Sequence, residues 1–272
     1  MSTLYVSDLD GTLLNSRDTL SLRTLAILNG LIEKGMHFTY ATARSLVSAR
    51  RVTAGLSARL PVIVYNGAFI MRADSGEILD SVPFTEEQRR HAQALFERFS
   101  LHPLVYSFAG GAERVSWQTG YENEGIRRYL SLRKNDPRLH PLSSPKTLYA
   151  GQPFYYTCIG TREELLPAYE ALLAEGCYRC TLQQELYRPE YWLEIMPQKA
   201  TKARAARKLR QLWGCERLVC FGDAINDLPL FEEADASYAV SNAVPALRAA
   251  ASGVIASNDE DGVALWLAEH AG

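Results

Sequence analysis

Four short segments carry residues whose types and spacing could do chemistry: Asp8-Leu9-Asp10-Gly11-Thr12-Leu13, Thr42, Lys202, and Gly222-Asp223-Ala224-Ile225-Asn226-Asp227. Brought together, their carboxylates could not all stay ionised without a cation. Such an oxygen-only set suits magnesium, which takes a few carboxylates at about 2.1 Å and fills its other positions with water or a phosphate oxygen. A threonine hydroxyl and a lysine ammonium add the donor and the positive charge that a phosphoryl group needs. A carboxylate can also act as the nucleophile, giving an aspartyl-phosphate. The set as a whole fits phosphoryl transfer and little else. Each segment alone has a plainer reading. Asp10-Gly11 could simply be a turn. Gly222–Asp227 could cap a helix starting at Leu228, and Lys202 could be a solvated helix residue. Order and placement carry the functional reading.

The elements that must position these residues are legible around them. Thr3–Ser7 is a short β-prone run that leads directly into Asp8. Asp18 or Thr19 can cap a helix whose apolar positions Leu22, Leu25, Ala26 and Ile32 recur at helical spacing, and Gly35 can end it. His37–Ala41 reads as the next strand, ending at Thr42, with a helix following from Ser45. Val62–Tyr65 is almost wholly apolar, as expected of a parallel strand covered on both faces. Near the other end, a basic helix from Thr201 to about Trp213, the strand Leu218–Phe221, a helix from about Asn226, a strand at 238–240 and a final helix after Asp261 repeat the pattern. Alternating βα units of this kind predict an α/β fold, a Rossmann-like, doubly wound parallel sheet with ligands at the carboxyl ends of its strands.

The middle of the chain changes character. Thr85–Gln88 and Thr161–Glu164 are capping boxes, each opening a helix. Strand-like runs at 104–108, 112–117, 154–159, 178–184 and 191–196 lie next to one another more than they alternate with helices. That pattern predicts an α+β domain over residues 83–195, inserted into a core built from 1–82 and 196–272.

Bulk properties narrow the partners. The 272 residues suffice for two domains, and a composition of 47% hydrophobic and 22% charged residues is that of a globular protein. A net charge of −2 gives no reason to expect a nucleic-acid or membrane partner. No apolar run approaches the ~20 residues needed to span a bilayer. A cytoplasmic protein, monomeric or a small homo-oligomer, acting on a small phosphorylated metabolite is the expectation. Of the five cysteines, Cys177 and Cys180 form a CxxC, but a strand there would point them to opposite sides, so structural thiols are expected.

In this order the segments resemble the haloacid dehalogenase superfamily of phosphohydrolases, and within it the Cof-type branch with a type IIB cap. The resemblance rests on Asp8–Leu13, Ala41-Thr42-Ala43-Arg44, Tyr65-Asn66-Gly67-Ala68, Leu193–Pro197, Thr201-Lys202, Gly222–Asp227, Ser241-Asn242-Ala243 and Asn258–Ala264. It implies that Asp8 attacks phosphorus and binds Mg²⁺. Asp10 would be the general acid and base, its backbone carbonyl a further metal ligand. Thr42, the backbone N–H groups of Leu9 and Ala43, Lys202 and Asn226 would bind phosphate. Asp223 would bind the metal, and Asp227 would support its coordination through water. Lys199 competes for the lysine role, but the spacing from Pro197 favours Lys202. The chain departs from the family at Ala43 and Ala203, where glycine is common; neither change removes a reacting group. The inserted cap would set substrate specificity, and it is rich in tyrosine and arginine (Arg114, Tyr121, Arg127, Arg128, Tyr187, Arg188), none assigned a role. The implied activity is hydrolysis of a phosphomonoester, sugar phosphates being natural substrates. A phosphosugar mutase or a catalytically weak phosphometabolite sensor are the alternatives.

Overall fold

The computed structural model describes residues 2–57, 60–185 and 188–271. Two compact units emerge, Met1–Ser81 with Lys199–Gly272, and Val82–Gln198. The first unit opens with β1 (Thr3–Ser7), α1 (Leu22–Glu33), β2 (His37–Tyr40), α2 (Leu46–Val52), β3 (Pro61–Val64), β4 (Phe69–Arg72) and β5 (Ile78–Ser81). The second holds α3 (Glu86–Arg98), β6 (Leu104–Ala109), β7 (Ala112–Gln118), α4 (Glu124–Ser131), β8 (Leu139–Leu142), β9 (Gln152–Gly160), α5 (Arg162–Ala174), β10 (Tyr178–Gln184) and β11 (Tyr191–Pro197). The first resumes with α6 (Lys202–Leu212), β12 (Arg217–Gly222), α7 (Leu228–Glu233), β13 (Ala236–Val240), α8 (Pro245–Ala250), β14 (Gly253–Ile255) and α9 (Gly262–His270).

The first unit is built on a parallel sheet of order β14-β13-β12-β1-β2. Its strands are short apolar runs, and Leu4, Val6, Phe38, Leu218 and Phe221 are fully buried in its core. The chain passes from β1 outward to β2 on one side and returns through β12 on the other. Strand order therefore reverses beside β1, and a sheet of this type leaves a ligand crevice at that reversal, outside the carboxyl ends.

Two local expectations are corrected. Val62–Val64 are buried as a covered strand requires, but β3 pairs antiparallel with β4, and only the Ala41–Ile63 bridge continues the parallel sheet. A tight turn at 65–68 folds the chain straight back, so the nearest partner is the antiparallel one, and Tyr65 belongs to the turn. The cap of α1 is Ser21, whose hydroxyl accepts the Thr24 N–H at 2.9 Å, and neither Asp18 nor Thr19. Asp18 lies in the left-handed region at φ +57°. Ser21 is further fixed because its hydroxyl and that of Thr24 both donate to Asp261 Oδ1, at 2.5 and 2.8 Å.

The second unit is an α+β layer. Its sheet runs β10-β11-β9-β6-β7-β8 and is antiparallel except for the β7–β8 pair. Both capping boxes form, at Thr85/Gln88 and Thr161/Glu164. The helices they open bury Phe96, Leu165 and Leu172 against Tyr156, Leu193 and Ile195 of the sheet. All five cysteines are free thiols. Cys177 and Cys180 pack against that one cluster instead of facing opposite ways, because Cys177 precedes β10 and escapes its alternation. Arg128 pairs with Glu190 at 2.6 Å, while Tyr187 lies outside the described residues. Among the described residues no helix is long and apolar enough to cross a membrane.

The corrected cap is directly testable. Ser21→Ala is expected to lower unfolding free energy by about 1–2 kcal/mol, and Asp18→Ala to change it by less than about 0.5 kcal/mol. Urea denaturation of the two variants measures both.

Candidate active site

Backbone hydrogen bonds bring three of the chemical segments to one sheet edge. The Asp8 N–H donates to the Phe221 carbonyl at 3.0 Å, the Ala41 N–H to Ser7 at 2.9 Å, and the Thr42 N–H to Ile63 at 2.9 Å. Asp8, Thr42 and Asp223 thus emerge at the carboxyl ends of β1, β2 and β12. After Asp8 the chain makes one wide turn over Leu9–Leu13, closed by the Leu14 N–H on the Leu9 carbonyl at 2.8 Å. Gly11 sits in it at φ +76°, and a Cβ there would lie 2.5 Å from Asp223 Oδ2. Glycine is therefore required twice, for conformation and for space. Thr12 Oγ1 donates to Asp223 Oδ1 at 3.0 Å, and Asn242 Nδ2 donates to the Gly11 carbonyl at 2.8 Å.

Lys202 is the first residue of α6, where the helix dipole disfavours a cation. Two carboxylates offset that placement. Its Nζ donates to Asp8 Oδ1 and, at 2.8 Å, to Asp227 Oδ1. Asp227 is wholly buried, and its Oδ2 accepts the N–H groups of Asp223 at 3.2 Å and Ala224 at 3.3 Å. Oxygens of Asp8, Asp223 and Asp227 lie within 4.8 Å of one another. Burial drives the Asp8 pKa upward, with Asp227 and Asp223 adding repulsion that Lys202 opposes. Burial also raises Asp223, against the Thr12 hydrogen bond. Burial works against the charge on Lys202, but Asp8 and Asp227 more than offset it, and its pKa is raised.

Three carboxylates therefore face one ammonium, a charge deficit of two in a half-dry site. The donors are all oxygens, and the cluster is capable of coordinating a divalent metal ion. Asp227 has a partner on each oxygen already, so Asp8 and Asp223 keep the freer oxygens.

A strained turn ties these parts together. Tyr65, Asn66 and Gly67 are consecutive left-handed residues, at φ +50°, +54° and +92°. The first two cost about 1–3 kcal/mol each. In return the Tyr65 N–H bonds the Arg44 carbonyl at 3.0 Å, and the Asn66 N–H bonds the Thr42 carbonyl at 2.8 Å. Gly67 lies so close to the start of α6 that a Cβ would fall 2.1 Å from the Thr201 carbonyl oxygen. One turn thus packs against both the Thr42 segment and the residue before Lys202.

The remaining expected residues are placed as follows. Thr42 is buried, its Oγ1 accepting the Arg44 N–H at 3.1 Å. Leu9 is buried, while Ala43 and Asn226 are exposed. The Asp10 side chain stands apart from the carboxylate cluster and is gripped by Arg44, whose Nε lies 2.9 Å from both of its oxygens. Arg44, Thr12 and Asn242 are the contributors that residue types alone did not single out. All three do lie inside the segments that carry the resemblance, and an arginine two residues beyond Thr42 is a natural counter-ion for an acidic loop.

A model of the haloacid dehalogenase-like hydrolase family matches residues 5–267. The chain belongs to that family. It is an enzyme of the phosphatase kind, and it closely matches relatives of the Cof-type branch with a type IIB cap. Among curated relatives, the 5-amino-6-(5-phospho-D-ribitylamino)uracil phosphatase YitU of Bacillus subtilis is 25% identical, over 98% of this chain and 97% of its own. An HMP-PP phosphatase of Escherichia coli is 29% identical, over 92% of this chain and 88% of its own. The crystal structure of TM0651 from Thermotoga maritima is 25% identical and superposes with a TM-score of 0.77, covering 99% of this chain and 97% of that one.

The close approach at Gly67 distinguishes a packed glycine from a merely left-handed one. Gly67→Ala is expected to cost about 3 kcal/mol or more. Gly214→Ala, at φ +64° with nothing within 4 Å of the added carbon, should cost only about 1 kcal/mol. Thermal unfolding of the two proteins provides the comparison.

Proposed function

We propose that this enzyme is a Mg²⁺-dependent phosphomonoester hydrolase that forms an aspartyl-phosphate on Asp8 and acts on small soluble phosphate esters, sugar phosphates or related metabolites. One observation carries the reading: a buried carboxylate, Asp8, bonded to Lys202 and within 4.8 Å of two further aspartates at the carboxyl edge of a parallel sheet. Asp8 and Asp223, with the Asp10 backbone carbonyl, would hold the Mg²⁺ ion. Bound there, the ion would polarise a phosphoryl oxygen and neutralise charge.

In the first step an Asp8 oxygen attacks phosphorus and the bond to the leaving oxygen breaks, with a proton from Asp10 passing to that oxygen. In the second step water attacks the phosphorus of the aspartyl-phosphate. Asp10 takes the proton from that water, the bond to Asp8 breaks, and inorganic phosphate leaves. Thr42, Asn226 and the backbone N–H groups of Leu9 and Ala43 serve as donors to the phosphoryl oxygens. Lys202 compensates the charge on nucleophile and phosphate together, and Asp227 holds Lys202 in place. The inserted unit selects which ester is accepted. Two relatives of similar identity bear the names of phosphatases for different substrates, which supports a conserved chemistry with a variable leaving group.

Release of phosphate from a panel of phosphomonoesters tests the reading. Chelation by EDTA is expected to abolish it and added Mg²⁺ to restore it. Asp8→Asn is expected to lower the rate by more than about 1,000-fold. Undiminished phosphate release by Asp8→Asn, or none from the wild-type enzyme with Mg²⁺ across the panel, would overturn it.

A further inference from the structure

Arg44 hydrogen-bonds none of the three clustered carboxylates, yet its side chain and backbone are held from several directions. Its Nε lies 2.9 Å from both oxygens of Asp10, and a second guanidinium nitrogen bonds Asp10 Oδ1 as well. A third nitrogen reaches the Ser48 hydroxyl at 3.4 Å. The backbone of Arg44 is fixed at both ends, its N–H on Thr42 Oγ1 at 3.1 Å and its carbonyl accepting the Tyr65 N–H at 3.0 Å. The guanidinium is about three-quarters buried, whereas the Asp10 side chain is 44% exposed. The second acidic neighbour, Asp18, lies farther off at 3.6 Å and is largely exposed. Asp10 lies in the turn over Leu9–Leu13, just before a glycine at φ +76°. A carboxylate this exposed would on its own sample several rotamers. A planar fork engaging both of its oxygens leaves it one.

From this geometry we infer that Arg44 is a positioning residue for the general acid and base. It orients the Asp10 carboxyl group toward the leaving oxygen and then toward the attacking water, without touching either. The inference rests on the proposed phosphatase reaction, and it assigns a separable part of it. Asp8 and the cation site make and carry the phosphoryl bond, while Arg44 acts only where a proton moves through Asp10. Arg44 therefore matters in proportion to how much the leaving group needs a proton.

The experiment is a leaving-group comparison on the full-length enzyme with saturating Mg²⁺, using an alkyl phosphate and p-nitrophenyl phosphate. The nitrophenolate departs without protonation, so formation of the aspartyl-phosphate no longer depends on Asp10. Arg44→Ala is expected to lower kcat/KM for the alkyl ester by about 10- to 100-fold and for the nitrophenyl ester by no more than about twofold. The kcat should fall for both esters where hydrolysis of the aspartyl-phosphate limits turnover, because that step also runs through Asp10. Arg44→Lys, a point charge without the fork, should recover only part of the loss. Millimolar guanidinium ion should restore activity to Arg44→Ala saturably, which a misfolded variant could not show. Equal loss of kcat/KM on both esters, or no response to guanidinium, would overturn the inference while leaving the phosphatase reading intact. A wild-type enzyme inactive on these two esters and across the wider phosphomonoester panel would instead remove the reading beneath it.

Discussion

The ammonium of Lys202, held out of water between Asp8 and Asp227, is the interaction on which the rest of the first unit depends. A buried ion pair is a poor source of stability, because the desolvation of its members roughly cancels their attraction. Here the balance is worse still, since three carboxylates share one cation and the lysine sits at the unfavourable end of a helix. An arrangement so costly persists because the fold around it over-determines it. The parallel ladder delivers Asp8 and Asp223 to adjacent strand ends. The backbone of the loop after β12 binds Asp227, and the Tyr65–Gly67 turn packs beneath Lys202 through Thr201.

The same excess of negative charge explains what the site can do. A divalent cation held there would relieve the repulsion that burial amplifies, and the proposed phosphoryl group would then meet the donors around it. Two hydrogen-bonded charge groups lie side by side. Asp8, Asp223, Asp227 and Lys202 form one; Asp10 and Arg44 form the other. Asp10 thus lies two residues from Asp8 with a hydrogen-bond partner of its own and outside the cluster of three aspartates.

Much of this was legible in the residues. The parallel sheet followed from short apolar runs alternating with helical periodicity, and the capping boxes at Thr85 and Thr161 marked two helix starts that formed as read. Asp8, Asp223 and Asp227 could be singled out by the order and placement of their segments along the chain, although each segment alone could have been a turn or a helix cap. Other features depend on tertiary contacts that no local pattern encodes. The hydroxyl of Ser21, besides capping α1, is held by Asp261, far along the chain. The pairing of β3 was decided by the left-handed turn after it, where the Asn66-Gly67 hairpin signal was masked by the apolar run through Tyr65. The grip of Arg44 on Asp10 joins residues 34 apart in sequence, and residue type alone could not choose that arginine from its neighbours. Strand β8 lay in a proline-containing stretch with no alternation to mark it, whereas the short helix α4 did carry a helical period at Ile126, Tyr129 and Leu130 that went unread.

The most direct measurement of the central claim is the stoichiometry of cation binding. Titration calorimetry with Mg²⁺ on the wild-type chain and on Asp223→Asn asks whether the buried charge deficit is the metal site. One ion per wild-type chain, with that binding lost in Asp223→Asn, is the expected result. Unchanged binding in Asp223→Asn, or no Mg²⁺ bound by the wild type, would contradict the account.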